Sequence, residues 1–247
     1  MSRDRLRFLL LQIRNAGDPM RTQEVTCFAR AMRVEKQQFR TIDLLSTAPA
    51  RRDLKDASMV LLGGSGHYSA AGKGAWLERT LDVLREIHHR AVPTFASCWG
   101  FQAFARALGG RVVHDPGRAE LGTLPLRRTD AGRDDPLFAP LGQRFFGQMG
   151  HEDCVDELPP GTTRLASSKR VENQAYRFDG LPIYCTQFHP ELNRKDLIDR
   201  ATNYPEYIER ISGTSLEQFK AACRDTPQTE ALLRHFMAEF LDVGPLR

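Results

Sequence analysis

Residues 6–13 read LRFLLLQI, an almost unbroken apolar run, and no other stretch restricts the fold as much. A strand with one wet face alternates apolar and polar residues, whereas one that is apolar throughout is covered on both faces, as inside a parallel sheet. The following residues extend that pattern. Residues 22–32 have helical spacing, residues 39–44 and 58–62 read as a second and third strand, and residues 76–90 form a helix through Leu77, Leu81, Leu84 and Ile87. Residues 92–96 are another strand, followed by Cys98 and a helix to Leu108 that Gly109 and Gly110 terminate. This alternation predicts an α/β architecture: a mostly parallel central sheet flanked by helices. Ligands of such sheets sit at the carboxyl ends of the strands.

From about residue 120 the pattern changes. Residues 121–126, 144–149, 164–168, 175–178 and 183–188 are short strand candidates separated by Gly, Pro and Asp turns. The tail reads as helix. Thr214 and Glu217 have capping-box spacing, and Thr226 with Pro227 opens a last helix whose apolar face is Leu232, Leu233, Phe236, Met237 and Phe240. No repeat or linker divides the 247 residues. The expected organisation is one domain over residues 1–195, with a helical C-terminal extension, residues 196–247, packed on it.

Composition excludes several functions. The net charge of +4 comes from scattered arginines with acidic residues between them and no interleaved aromatics, so a solvated surface is expected rather than a nucleic-acid groove. No stretch approaches the roughly 20 apolar residues of a membrane span. Five cysteines, Cys27, Cys98, Cys154, Cys185 and Cys223, include no CxxC pair, so neither a disulfide framework nor a metal site is expected. The charged start and short apolar run do not resemble a signal peptide. The expected compartment is the cytoplasm, and no cofactor is implied.

Three segments carry chemistry. Cys98 lies between a buried strand and a helix, with small neighbours Ala96, Ser97 and Gly100. A residue there is forced out on a sharp turn, as in hydrolase nucleophile elbows, and a thiolate at a helix N-terminus is stabilised by the dipole. The other four cysteines lack this context and read as packing residues. His189-Pro190-Glu191 follows the strand at 183–188. Residues i and i+2 of extended chain point the same way, so Glu191 can reach the His189 ring, fix its tautomer and leave the other nitrogen for a thiol. The Gly63-Gly64-Ser65-Gly66 loop lacks the Lys-Ser/Thr of a P-loop and reads better as a backbone N–H donor for an oxyanion.

Gly-Gly after an early strand, then Cys98-Trp99-Gly100-Phe101-Gln102, then Gln187-Phe188-His189-Pro190-Glu191, occur in the order found in the class I (Cys-His-Glu triad) glutamine amidotransferases. The chain resembles that family over about residues 6–192. The resemblance implies a flavodoxin-like α/β fold and hydrolysis of the glutamine side-chain amide through a γ-glutamyl thioester on Cys98, releasing ammonia. It implies His189 as acid and base, Glu191 as its orienting carboxylate, Gly64 and Trp99 as oxyanion N–H donors, and Gln102 as a substrate-binding residue. Met149-Gly150-His151-Glu152-Asp153 resembles the Ser-His-Gly-Asp segment of GMP synthase glutaminase domains, which implies Gly150 and His151 as pocket residues. Ala96 and Ser97 replace the family's usual Gly and Ile or Val, and Ser65-Gly66 replaces its Pro. The chain also lacks an ATP-pyrophosphatase loop, as do the stand-alone GMP-synthase-like proteins and plant γ-glutamyl peptidases that it resembles. The implied partners are glutamine or a γ-glutamyl compound and a separate synthetase subunit; the alternatives are a self-sufficient γ-glutamyl peptidase and a non-catalytic regulatory relative.

Overall fold

A computed structural model describes residues 3–241. The strands are β1 (Phe8–Gln12), β2 (Phe39–Asp43), β3 (Met59–Leu62), β4 (Thr94–Ser97), β5 (Arg111–His114), β6 (Glu120–Arg128), β7 (Arg144–His151), β8 (Asp153–Glu157), β9 (Thr162–Ser167), β10 (Ala175–Phe178) and β11 (Ile183–Thr186). The helices are α1 (Met20–Met32), α2 (Arg51–Asp56), α3 (Ala75–His89), α4 (Trp99–Ala107), α5 (Asp130–Arg133), α6 (Arg194–Asn203), α7 (Pro205–Tyr207), α8 (Leu216–Ala222) and α9 (Pro227–Phe240). A π-helical turn, Ile208–Ser212, follows α7.

The main sheet has nine strands in the order β2-β1-β3-β4-β11-β10-β9-β6-β7. From β2 to β11 every pairing is parallel, and from β11 to β7 every pairing is antiparallel. The apolar run of β1 explains its central place: all five residues are buried, and successive side chains serve opposite faces. Phe8 and Leu10 join one core with Met59, Leu61, Phe95 and Tyr184, while Leu9 and Leu11 join the other with Val60, Leu62, Ala96 and Cys185. The first core lies under α1 and α9, the second under α3 and α4.

The C-terminal helices complete this packing. Leu232, Leu233, Phe236 and Met237 of α9 are fully buried in the first core, and Phe236 meets the rings of Phe95, Tyr184 and Phe240. The domain boundary expected after residue 195 falls inside α6, which packs on α1. The capping box also differs from expectation. Ser215, rather than Thr214, caps α8: its hydroxyl accepts from Gln218 N–H and its own N–H donates to Gln218 Oε1. The Thr214 hydroxyl instead pairs with Ser212, and Glu217 contacts Lys220, so the helix starts one residue later than the Thr214/Glu217 spacing implies.

Deleting a ring from a filled core leaves a cavity as well as losing apolar burial. Phe236→Ala is expected to destabilise the protein by about 3–5 kcal/mol, measured as a lower urea midpoint at unchanged slope. A loss below about 1 kcal/mol would show that α9 is dispensable to the core.

Candidate active site

β4 and β11 run side by side with Thr186 opposite Ser97, so the residues just beyond both strands emerge together at their carboxyl ends. Cys98 is the turn between β4 and α4. Its backbone has φ 51° and ψ −105°, a region that costs a non-glycine residue about 1–3 kcal/mol. Its N–H donates to the Thr186 carbonyl at 2.8 Å, and the next glycine, Gly100, donates to the Gly63 carbonyl at 3.2 Å. A Cβ on Gly100 would stand 2.6 Å from Leu62 Cβ and 3.1 Å from Ala96 Cβ. Only glycine there lets the first turn of α4 lie on β3 and β4, which accounts physically for the small residue two places after the cysteine.

His189 is placed by its own N–H, which donates to the Gln148 carbonyl of β7 at 2.9 Å. Its Nδ1 donates to Glu191 Oε1 at 2.6 Å. Both residues are buried, Glu191 completely. With Nδ1 committed to the carboxylate, Nε2 is the nitrogen left for the sulfur. Burial alone would push the imidazole down, but the charges of Glu191 and of the Cys98 sulfur overcome it and raise the ring to about 9. Burial would push the Glu191 carboxyl up, yet His189 and then Arg200 hold it below the usual carboxylate range. The Cys98 thiol also reaches the Gly150 carbonyl at 3.5 Å. Burial pushes the thiols of Cys27, Cys154 and Cys185 upward, which suits packing residues.

These groups open into a cavity of about 210 Å³, smaller than the roughly 300–1,000 Å³ of drug-sized sites and in scale with an amino-acid-sized ligand. Cys98, Trp99, Gln102, Gly64, Gly150, His151 and His189 all line it. Glu191 does not; it sits behind the histidine. Among the described residues, neither Gly64 N–H nor Trp99 N–H has an acceptor, as donors awaiting an oxyanion require. Gln102 Nε2 donates to the Asp153 carbonyl at 2.9 Å and to Gln187 Oε1 at 3.1 Å, so Oε1 is the polar atom it retains for a ligand. Both His151 ring nitrogens are occupied, one by the Asp153 carbonyl and one by Glu120. What residue 151 can offer the cavity is its backbone.

Sequence reasoning misses four contributors. Ser97, read only as a departure from a family pattern, donates its hydroxyl to Glu191 Oε2 at 3.0 Å. Gln187 braces Gln102. Arg14 and Arg200 line the cavity although both are buried, against the expectation of solvated arginines. Arg14 meets Asp18 at 3.3 Å and Glu24 at 3.7 Å; Arg200 lies 3.7 Å from Glu191 Oε1. The far wall comes from the C-terminal helices through Ala201, Tyr204, Tyr207 and Ile211, and the Tyr207 hydroxyl donates to the Gly66 carbonyl at 3.1 Å. Among the described residues no cluster of His, Cys, Asp or Glu could hold a metal ion, and no helix is long and apolar enough to cross a membrane.

A family model for class-I glutamine amidotransferases matches residues 24–197. γ-Glutamyl peptidase 3 of Arabidopsis thaliana is 26% identical over 213 residues, 81% of either chain. The glutamine-hydrolysing GMP synthase of Streptomyces avermitilis is 34% identical over 163 residues, which are 66% of this chain and 29% of that protein. The crystal structure of a glutamine amidotransferase from Thermotoga maritima superimposes with a TM-score of 0.77 over 97% of this chain and 99% of its own, at 22% identity. That structure shares the fold.

The raised His189 pKa has a consequence for stability. Its charged form is favoured in the folded state, so the stabilisation is full below the usual value of 6.5 and is lost as pH rises through about 9. Urea unfolding of the wild type should therefore show declining stability between those limits. His189→Asn should show a flatter profile, and identical slopes would refute the buried ion pair.

Proposed function

Because the chain belongs to the class I glutamine amidotransferase family, we propose that it hydrolyses the γ-amide of glutamine or of a γ-glutamyl compound, with Cys98 as nucleophile, His189 as acid and base, and Glu191 as the orienting carboxylate. The observation that carries this reading is the 2.6 Å His189–Glu191 pair, buried beside a cysteine held at positive φ. The thiol proton rests on His189, as the raised ring requires, and the Cys98 thiolate attacks the side-chain carbonyl carbon. The carbonyl oxygen takes the electron pair as an oxyanion facing Gly64 N–H and Trp99 N–H. His189 then gives its proton to the departing nitrogen, which leaves as ammonia or an amine, and the γ-glutamyl thioester remains on Cys98. Water, deprotonated by His189, attacks the thioester carbonyl; the C–S bond breaks, the thiol is reprotonated and glutamate leaves. Oxyanion donors and histidine each serve both halves of the reaction, and no other reactant is needed. Gln102 Oε1 and the backbone at Gly150 and His151 hold the glutamyl end.

Cys98→Ala is expected to abolish turnover while leaving the unfolding free energy within about 1 kcal/mol of wild type, since one sulfur at a turn contributes little to packing. His189→Asn should lower kcat about 10²–10⁴-fold. A γ-glutamyl analogue with an electrophilic warhead should label Cys98 and spare Cys27 and Cys154. Wild-type turnover in either variant would overturn the assignment.

A second reading, a γ-glutamyl peptidase that acts alone, is supported by the match to the plant peptidase over 81% of both lengths. It is supported too by the cavity wall, which the chain supplies itself through Tyr204, Tyr207 and Ile211. Steady-state hydrolysis by the purified chain separates the readings. Faster turnover of γ-glutamyl dipeptides than of glutamine favours the peptidase. Weak turnover of both, rescued by an added synthetase subunit, favours a partner-dependent glutaminase. No turnover under any condition, with Cys98 resistant to the warhead, leaves the non-catalytic relative.

A further inference from the structure

Glu191 is fully buried, and a lone buried carboxylate would take up a proton rather than stay charged. Its two oxygens are nevertheless met from three directions: His189 Nδ1 at 2.6 Å, the Ser97 hydroxyl at 3.0 Å and Arg200 Nη1 at 3.7 Å. Arg200 comes from α6, three residues beyond the last position matched by the family model. Its Nε donates to Gln23 Oε1 at 3.2 Å, its Nη1 lies 3.4 Å from His189 Nδ1, and its Nη2 is buried without a partner. An arginine placed for fold stability alone would be expected to satisfy all its donors. This one leaves a donor empty while pointing its charge at the acid–base pair.

We infer that Arg200 is a positioning residue: from the C-terminal extension it keeps Glu191 ionised and turned onto His189, and sets a positive charge beside that ring. The inference rests on the proposed roles of Cys98, His189 and Glu191. The His189 Nδ1 proton belongs to Glu191, so Arg200 cannot also donate to that nitrogen; its effect on the ring is the repulsion of a second cation. Charges of both signs face His189: Cys98 from the β4–α4 turn, Glu191 from its own segment, Arg200 from α6, and Arg14 from the segment after β1, which also carries its partner Asp18, with Glu24 of α1 as the second partner. On the β7 side, His151 is paired with Glu120 of β6. Of these groups only Arg200 touches both members of the His189–Glu191 pair.

Removing Arg200 therefore has two separable effects. The carboxylate loses one of its holds, which lowers kcat. The imidazolium loses a repelling neighbour while Glu191 stays anchored by Ser97, so the basic limb of the pH–rate profile moves upward. In Arg200→Met, kcat for γ-glutamyl amide hydrolysis should fall about tenfold and the basic limb should rise by about one pH unit. Arg200→Lys keeps the charge, and it should recover part of kcat with the limb at its wild-type position. A folded Arg200→Met with an unmoved limb, or an Arg200→Lys whose limb shifts as far as that of Arg200→Met, would overturn the inference. Should Arg200→Met fail to fold, Gln23→Leu removes the Nε acceptor and leaves the cation. It should lower kcat two- to fivefold with the limb in place, and wild-type kcat in Gln23→Leu counts against the inference. His189→Asn tells this failure from failure of the triad itself: a basic limb that survives in His189→Asn rejects the triad, whereas one that vanishes there but ignores Arg200→Met rejects only the role of Arg200.

Discussion

A carboxylate with no solvent contact is the constraint around which this site is built. Glu191 is fully buried, and taking a charge out of water costs several kcal/mol unless partners replace its hydration. Those partners come from distant parts of the chain: Ser97 from the end of β4, His189 from the segment after β11, and Arg200 from α6. The Glu191 carbonyl also accepts from Arg30 of α1 at 2.8 Å, and Arg30 pairs with Asp196 of α6 and Glu230 of α9. The two helices α6 and α9 are thus connected to the His189–Glu191 pair through one residue. Each partner replaces part of the hydration that the carboxylate gave up, so losing one weakens the hold on Glu191 while the others keep it in place.

The second constraint is steric. A cysteine held at φ 51° between a strand and a helix needs close-packed backbone on every side, and glycines make the room. Gly100 lets α4 approach Leu62 and Ala96, and Gly63 lies where a Cβ would meet Glu24 Oε1 at 2.1 Å. Gly64 is backed by the His189 ring, 3.2 Å from where its Cβ would be, and by the guanidinium groups of Arg14 and Arg200. The strain at Cys98 is therefore bounded by a rigid frame, which keeps its side chain at the small cavity that it lines.

The parallel half of the sheet was readable because a strand buried on both faces has a distinctive composition. The runs at 6–13 and 58–62 became β1 and β3 with ends within two residues of expectation. β5 and β8, which pair as a separate two-stranded sheet, were not read. RVVH is short with both ends exposed, and DCVDE, although its first three residues are buried, carries acids at three of five positions, so no hydrophobic period marks them. α2, RRDLKD, was missed for the same reason; its one buried apolar residue is Leu54. In the site, the residues with local signals were those whose chemistry depends on near neighbours: Cys98 on a turn, His189 and Glu191 two apart. Ser97 matters through its contact with Glu191, 94 positions away, and Arg200 through contacts with His189, 11 positions away, and Gln23, 177 positions away. No local pattern distinguishes Arg200 from the exposed arginines elsewhere.

Those two arginines also change the meaning of the chain's basic composition. Arg14 and Arg200 are inside the protein, each within 4 Å of a carboxylate, and Arg14 is further held by the Tyr204 hydroxyl at 3.1 Å. Tyr204 in turn donates to Asp18 at 2.6 Å, so the segment after β1 and the end of α6 share one hydrogen-bonded network at the back of Gly64. Such a network fixes the distance between the Gly64 backbone and the His189 ring more tightly than apolar packing would, because each member has angular as well as distance requirements. The C-terminal helices are then best understood as the part of the fold that holds the back of the pocket. They supply its far wall through Tyr207 and Ile211, place Arg200 beside Glu191 and Tyr204 on Arg14, and hold the loop after Gly64 through the Tyr207 hydroxyl on the Gly66 carbonyl.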